Sequence, residues 1–119
     1  MKNSERIILR KMIGYCNDIQ SFLDRFSYNY EKYLSDKLPQ YACNTCIIQL
    51  GELSARLSDE FREEHDDIPW KLIRAMRNIH AHDYENVNPS IVWETLTKDI
   101  PMLKENLNVI LHNDQDSVE

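Results

Sequence analysis

The stretch CNTCIIQLGELSARLSDEF, residues 43–61, decides the fold. Cys43, Ile47, Leu50, Ser54, Leu57 and Phe61 step by four and three alternately, which lines small and apolar side chains along one face of an α-helix. The same rhythm recurs upstream in Ile8, Met12, Tyr15, Ile19, Phe22 and Phe26, and downstream in Leu96, Ile100, Leu103, Leu107 and Ile110. Repeated seams of this kind predict helices packed at shallow angles in a bundle. With only two glycines and four prolines in 119 residues, helix breakers are too scarce for many short strands, and the chain reads as all-α.

The seams and caps predict where the helices begin and end. The first helix is expected from Ser4, as N-cap, to about Phe26, followed by a turn over 25–29 and a short helical piece ending near Ser35-Asp36. A single long helix is expected from Pro39 to Glu64. Gly51 interrupts it at a cost of about 1 kcal/mol relative to Ala, which points to a close helix approach there. Asp67-Ile68-Pro69 and Asp99-Ile100-Pro101 share one form, Asp as cap with Pro in the first turn, and each should start a helix. Asn88-Pro89 gives a third start, leaving 83–87 as a short exposed break. The chain divides into a single helical domain over 1–112 and an acidic, flexible tail over 113–119.

At this length one domain can bury roughly two-thirds of its unfolded surface without metal or disulfide staples. The polar start and the charges within every apolar run argue against a signal peptide and a membrane span, so a cytoplasmic protein is expected. Three cysteines without a secretory signal give little reason for disulfides. The net charge of −6 is awkward for a protein that coats nucleic acid. Acidic residues are nonetheless absent between Ile68 and His82, where Lys71, Arg74 and Arg77 recur every third position. One basic face on an acidic body suits a small catalytic site better than an extended groove.

Cys43-Asn-Thr-Cys46 is a CxxC, but it falls within a helix and has no partner set to complete a zinc site, so it reads as core packing. Tyr28, Tyr30 and Tyr33 could stack on bases, although aromatics beside a turn more often pin it to the core. His65 and His112 read as surface residues, and His80 alone could be one too. The segment Arg77-Asn-Ile-His-Ala-His82-Asp83-Tyr84 stands out, although on composition alone it is a basic helix end with two histidines, and such ends are often just complements to the helix dipole. RNA cleavage through the 2′-hydroxyl needs neither metal nor enzymatic nucleophile. It needs a group exchanging protons near neutral pH, as His does, and a fixed cation beside the developing phosphorane charge, as Arg is. Arg77 and His82 are five residues apart, about 140° around a straight helix. Either the helix loosens by His82, or the working site combines the two residues from two chains.

Arg77, four residues, then His82-Asp83-Tyr84 resembles the Arg-x4-His-x-Tyr signature of HepT-like toxins of the HEPN superfamily. Leu50-Gly51-Glu52-Leu53, Ile68-Pro69-Trp70, Arg77-Asn78, Val87 to Trp93 and Pro101-Met102-Leu103 resemble other stretches of the same family, in order along nearly the whole chain. The resemblance implies an up-and-down helical bundle that forms a homodimer with paired motifs in a cleft. It implies a metal-independent endoribonuclease acting as a toxin, with no cofactor, Arg77 and His82 catalytic, and Asn78 and Asp83 in support. It also implies an antitoxin partner, a minimal nucleotidyltransferase that adds AMP to the motif tyrosine, Tyr84. The alternative is a non-catalytic, nucleotide-binding or docking subunit of a nucleotidyltransferase, which the acidic net charge mildly favours.

Overall fold

The computed structural model describes the backbone of residues 1–118 and the side chains through Asp114. The described residues contain helices and no strand. The chain runs through α1 (Asn3–Arg25), α2 (Tyr30–Ser35), α3 (Lys37–Ala55), α4 (Asp59–Glu64) and α5 (Trp70–His82). A 3₁₀ turn (Tyr84–Asn86) leads to α6 (Pro89–Glu94), a π turn (Thr95–Asp99) and α7 (Ile100–Val118). The α1 helix packs on α3 and α7, and α3 packs on α5, so the bundle is all-α as the seams predict. No helix among the described residues is long and apolar enough to cross a membrane.

The seam of residues 43–61 is buried at every position, from Cys43 at 0% exposure to Phe61 at 4%. It is not one helix, however. The α3 helix ends at Ala55, and Ser58 starts α4 by accepting a hydrogen bond from the Phe61 N–H at 3.1 Å. Arg62 donates to the carbonyls of Ser54 and Leu57 at 2.8 and 2.7 Å, supplying donors that the end of α3 lacks. Asp59 and Glu60 in the first turn of α4 favour the break through the helix dipole. The α1 seam is likewise rotated from its expected line. Ile8, Met12 and Ile19 are buried as expected, but Leu9, Cys16 and Leu23 complete the core face, while Tyr15, Phe22 and Phe26 are only half-buried.

Two of the three expected Pro-marked starts differ from the structure. Asn88 caps α6, accepting from the Ser90 N–H at 3.0 Å, with Pro89 in the first turn as expected. Asp67 caps nothing; Pro69 is the N-cap of α5, and the turn is tied by the Trp70 indole donating to the His65 carbonyl at 3.0 Å. Asp99 is no cap either, because α6, the π turn and α7 follow one another without a gap. Pro101 lacks an N–H, and its ring would crowd the carbonyl four residues back; the wider turn immediately upstream gives it room. The α7 helix continues through Val118, and Asp114 pairs with Arg6 at 2.7 Å. Glu119, the last residue of the expected tail, lies outside the described residues.

Two of the three tyrosines near residue 30 follow the core-pinning expectation, whereas Tyr28 is 44% exposed. Tyr30 and Tyr33 pack on Trp93 with ring centroids 5.5 and 5.1 Å apart, which fastens α2 to α6. His65 is half-buried against the Phe61 ring at 4.5 Å rather than lying on the surface.

Candidate active site

The α5 helix is regular through His82, so Arg77 and His82 point to different faces, as the spacing requires. The first of the two ways to join them, a helix loosened before His82, is therefore not what this chain does. Asp83 closes α5, its N–H donating to the Ile79 carbonyl at 2.8 Å, and Tyr84 opens the 3₁₀ turn.

One face of α3 meets this segment residue by residue, the two helices running antiparallel. Gly51 lies under Arg77. A Cβ built on Gly51 would stand 2.2 Å from the Arg77 Cβ and 2.6 Å from its Cγ, so only glycine lets the helices meet here. The adjacent Glu52 accepts a hydrogen bond from Arg77 Nε, and Arg77 Nη1 donates to Asn78 Oδ1 at 3.0 Å. Between them these contacts hold two faces of the guanidinium and leave Nη2 without a hydrogen bond among the described residues. Arg77 is about one-third exposed, so the held cation is still open to solvent.

Two turns toward its N-terminus, α3 presents Asn44 to His80. His80 is buried at 6% exposure, contrary to the surface position that its sequence context allowed. An Asn oxygen can only accept, so His80 Nδ1 donates to Asn44 Oδ1. Burial lowers the His80 pKa and favours the neutral ring. This histidine is a fixture of the helix interface. The other histidine of the segment, His82, is exposed.

A further turn along, Tyr41 meets Tyr84. Their ring centroids are 5.8 Å apart, and the His80 ring lies 6.2 Å from Tyr84 on its other contact. Tyr84 is half-buried, and its phenol pKa is raised by burial first, then by Tyr41 and Cys43. Asp83 is exposed and accepts from Asn86 Nδ2 at 2.6 Å. His82, Asp83 and Tyr84 line a groove of about 700 Å³ together with Lys37 and Tyr41 of α3. Arg77 is not among its lining residues.

The structure thus joins His82, Asp83 and Tyr84 in one groove and Arg77 with Asn78 on another face. Sequence reasoning missed the contacts of Asn44, Tyr41 and Glu52, all of which reach the segment from α3. The cost of Gly51 within a helix was the visible trace of that contact. The three cysteines are buried free thiols. Burial pushes Cys16 and Cys43 up to about 12 and Cys46 to about 11, so none is poised as a nucleophile near neutral pH. Among the described residues no three or more His, Cys, Asp or Glu side chains gather as a metal-binding set.

The family model for HepT-like ribonucleases matches residues 12–110. A protein of Caldanaerobacter subterraneus subsp. tengcongensis named "Putative RNase" is 36% identical, over 73% of this chain and 78% of its own length. The "Probable ribonuclease HepT" of Thermococcus cleftensis is 31% identical over 87% of this chain and 93% of its own. A "Putative RNase" of Methanocaldococcus jannaschii is 26% identical over 92% and 98%. No solved structure matches the chain significantly. The matched span includes the seam of α3, the Gly51–Arg77 contact and the whole motif segment, and on it this chain belongs to the HepT-like ribonuclease family.

Proposed function

We propose that this chain is the toxin of a toxin–antitoxin pair, a metal-independent endoribonuclease that works as a homodimer in the cytoplasm. The observation that carries the reading is the division of one motif between two faces of an unbroken α5. Arg77 is held by Glu52 and Gly51 on one face, while His82 opens into the groove on another. Leu72 and Ile79 stand 55% and 48% exposed on the same helix, an apolar stripe flanking His82 that a second copy would cover. A two-fold dimer through α5 brings His82 of each chain toward Arg77 of the other.

In that composite site the substrate 2′-oxygen attacks the adjacent phosphorus and the bond to the 5′-oxygen breaks. The products are a cyclic phosphate and a free 5′-hydroxyl. His82 takes the proton that leaves the 2′-hydroxyl, the departing 5′-oxygen receives a proton from the imidazolium or from water, and the Arg77 guanidinium faces the charge that builds on the phosphorane oxygens. Asn78 and Asp83 support the two groups, Asn78 by bonding the guanidinium and Asp83 by closing the helix beneath His82.

Digestion of RNA by freshly purified, unmodified protein tests the reading, and cleavage should persist in EDTA. Arg77→Ala and His82→Ala should each lower cleavage by roughly 100-fold or more without unfolding the protein. Mixing the two inactive variants is the sharper test. Half of the dimers would then be mixed, each with one intact composite site, and about a quarter of wild-type activity should return. No recovery on mixing would place both residues in one chain. A well-folded dimer that never cuts RNA would leave the docking-subunit reading.

The antitoxin in this proposal is a minimal nucleotidyltransferase acting on Tyr84. The phenolic oxygen attacks the α-phosphorus of ATP, pyrophosphate leaves, and the phenolic proton passes to solvent or the partner enzyme. The resulting phosphodiester places about one negative charge and a nucleoside in the groove beside His82, which blocks RNA without unfolding the toxin. Tyr84→Phe keeps the ring packing on Tyr41 and removes the acceptor oxygen. Intact-mass measurement showing unchanged AMP addition to that variant would put the acceptor elsewhere.

A further inference from the structure

The groove holds two groups that the cleavage chemistry does not use, Lys37 and Tyr41. They are four residues apart on α3 and so lie on one helix face, one turn apart. Tyr41 is 52% exposed, although its ring contacts Tyr84. An aromatic ring left half in water beside a groove is costly to leave uncovered and well suited to stacking. Lys37 is exposed and makes no ion pair or hydrogen bond among the described residues. The neighbouring groove residue Gln40, by contrast, spends its amide on the carbonyls of Tyr33, Leu34 and Asp36.

We infer that Lys37 and Tyr41 form a nucleotide subsite, with a base stacked on the Tyr41 ring and a single phosphate against Lys37. The inference rests on the ribonuclease reading for its place beside His82, but its residues and its test are separate. A groove of about 700 Å³ admits a nucleotide unit and its neighbours in a strand. Charge limits what it can hold. Asp83 and Glu85 also line the groove, so one lysine faces two carboxylates, and a run of phosphates such as a nucleoside triphosphate carries is disfavoured. The ligand that fits is therefore a nucleotide with one phosphate charge. Two sources supply it: a residue of the RNA strand flanking the cut, or a free mononucleotide such as AMP. Stacking on a tyrosine tolerates any base, so the subsite adds affinity and register more than sequence choice.

The test uses the full chain and two probes, a fluorescein-labelled 2′-O-methyl RNA oligonucleotide, which has no 2′-hydroxyl to react, and AMP. Tyr41→Ala should weaken oligonucleotide binding about ten-fold or more, and Tyr41→Phe should restore it, since the ring and not the hydroxyl is required. Lys37→Gln should weaken binding several-fold and reduce the salt dependence by about one phosphate contact. AMP should compete with the oligonucleotide, and ATP should compete no better than AMP. If AMP binds through Tyr41 but the oligonucleotide does not, the source is the free nucleotide. If only the oligonucleotide is sensitive, the source is the RNA. Folded Tyr41→Ala and Lys37→Gln proteins that bind both probes like wild type would overturn the subsite, as would a wild type that binds neither. Binding through Tyr41 in a protein that cuts no RNA would sink the ribonuclease reading and leave the subsite standing. Wild-type KM for RNA in a Tyr41→Ala enzyme that still cuts would do the reverse.

Discussion

Two helix pairs in this bundle are built on opposite terms. Where α1 packs on α7, the shared core is apolar: Leu9, Met12, Cys16, Ile100, Leu103 and Leu107 are all buried, and polar contacts such as Arg6–Asp114 and Lys104–Gln20 are confined to the rim. Where α3 packs on α5 and the 3₁₀ turn after it, buried Ile47, Leu50 and Ile73 are joined by directional contacts: Gly51 and Glu52 with Arg77, Asn44 with His80, and Tyr41 with Tyr84. Apolar burial is non-directional and contributes about 25 cal/mol per Å², so it stabilises both pairs and is nearly all that the first one has. Hydrogen bonds and ring contacts contribute less per group but fix orientation, so the second pair sets where the motif side chains point.

The largest effect on stability is expected from the first pair. Leu107 is fully buried, and Leu107→Ala should cost about 2–5 kcal/mol through lost transfer energy and the cavity left behind. Cleavage per folded molecule should stay near wild type. Denaturant melts paired with turnover numbers check this, and a turnover that falls while the protein remains folded would break the division between the two pairs.

Gly51→Ala should come next. The new methyl cannot occupy space 2.2 Å from the Arg77 Cβ, so the helices must part or the arginine must swing away. Overpacking of this kind costs about 1–3 kcal/mol. Unlike Leu107→Ala, it should lower cleavage in protein that is still folded, because the shift falls on the proposed cation. Equal losses of activity per folded molecule in the two variants would show that the glycine contact is ordinary packing.

Asn44→Ala leaves the buried His80 Nδ1–H unpaired and should cost about 1–3 kcal/mol. The same histidine predicts a pH dependence. Its folded pKa lies below the ordinary value, so as pH falls below about 6.5 the unfolded chain takes a proton that the folded chain refuses. Stability from this group is therefore full above that value and declines as pH falls toward the lowered pKa. His80→Gln, which offers Asn44 a donor that does not titrate, should show a smaller loss of thermal stability between pH 7.5 and 5.5 than wild type. An identical loss in both proteins would mean that the acid sensitivity lies in other groups.

The same contrast explains what was legible in the sequence. Periodicity records apolar burial, so the all-α fold, the buried seam of 43–61 and the stripe from Leu96 to Leu107 could be read directly. Caps compete with tertiary partners, so the boundaries were less legible. Asp67 and Asp99 have the composition of N-caps, but Pro69 is the N-cap of α5 and a continuous helix runs through Asp99 in the π turn. The break at Ser58 was hidden because the seam runs on across it. Polar contacts between helices leave no period at all. Asn44 and Tyr41 could not be linked to His80 and Tyr84 until the antiparallel register of α3 and α5 was known, and only the glycine at 51 betrayed that a close approach existed.

The smallest stability change is expected at Glu52, where the comparison between the two pairs becomes sharpest. The Glu52–Arg77 pair is partly exposed on both sides, with Glu52 at 46%, and such pairs contribute at most about 1 kcal/mol. Substituting Glu52 should therefore hardly move the melting curve. Its geometric work is different, because the carboxylate accepts from Nε and so fixes the plane of the guanidinium while Nη2 remains open. A cation that must face a developing phosphorane charge loses effectiveness when it is free to rotate. Glu52→Ala should lower kcat about ten-fold with KM little changed, since the lost contact acts on orientation and not on RNA binding. Glu52→Gln retains an oxygen acceptor for Nε and should recover most of that loss, although the charge is gone. If Glu52→Ala instead raised KM alone, the glutamate would belong to substrate binding. If it raised kcat, the carboxylate would be restraining the cation by neutralising it, and α3 would be a brake on Arg77 in place of its support.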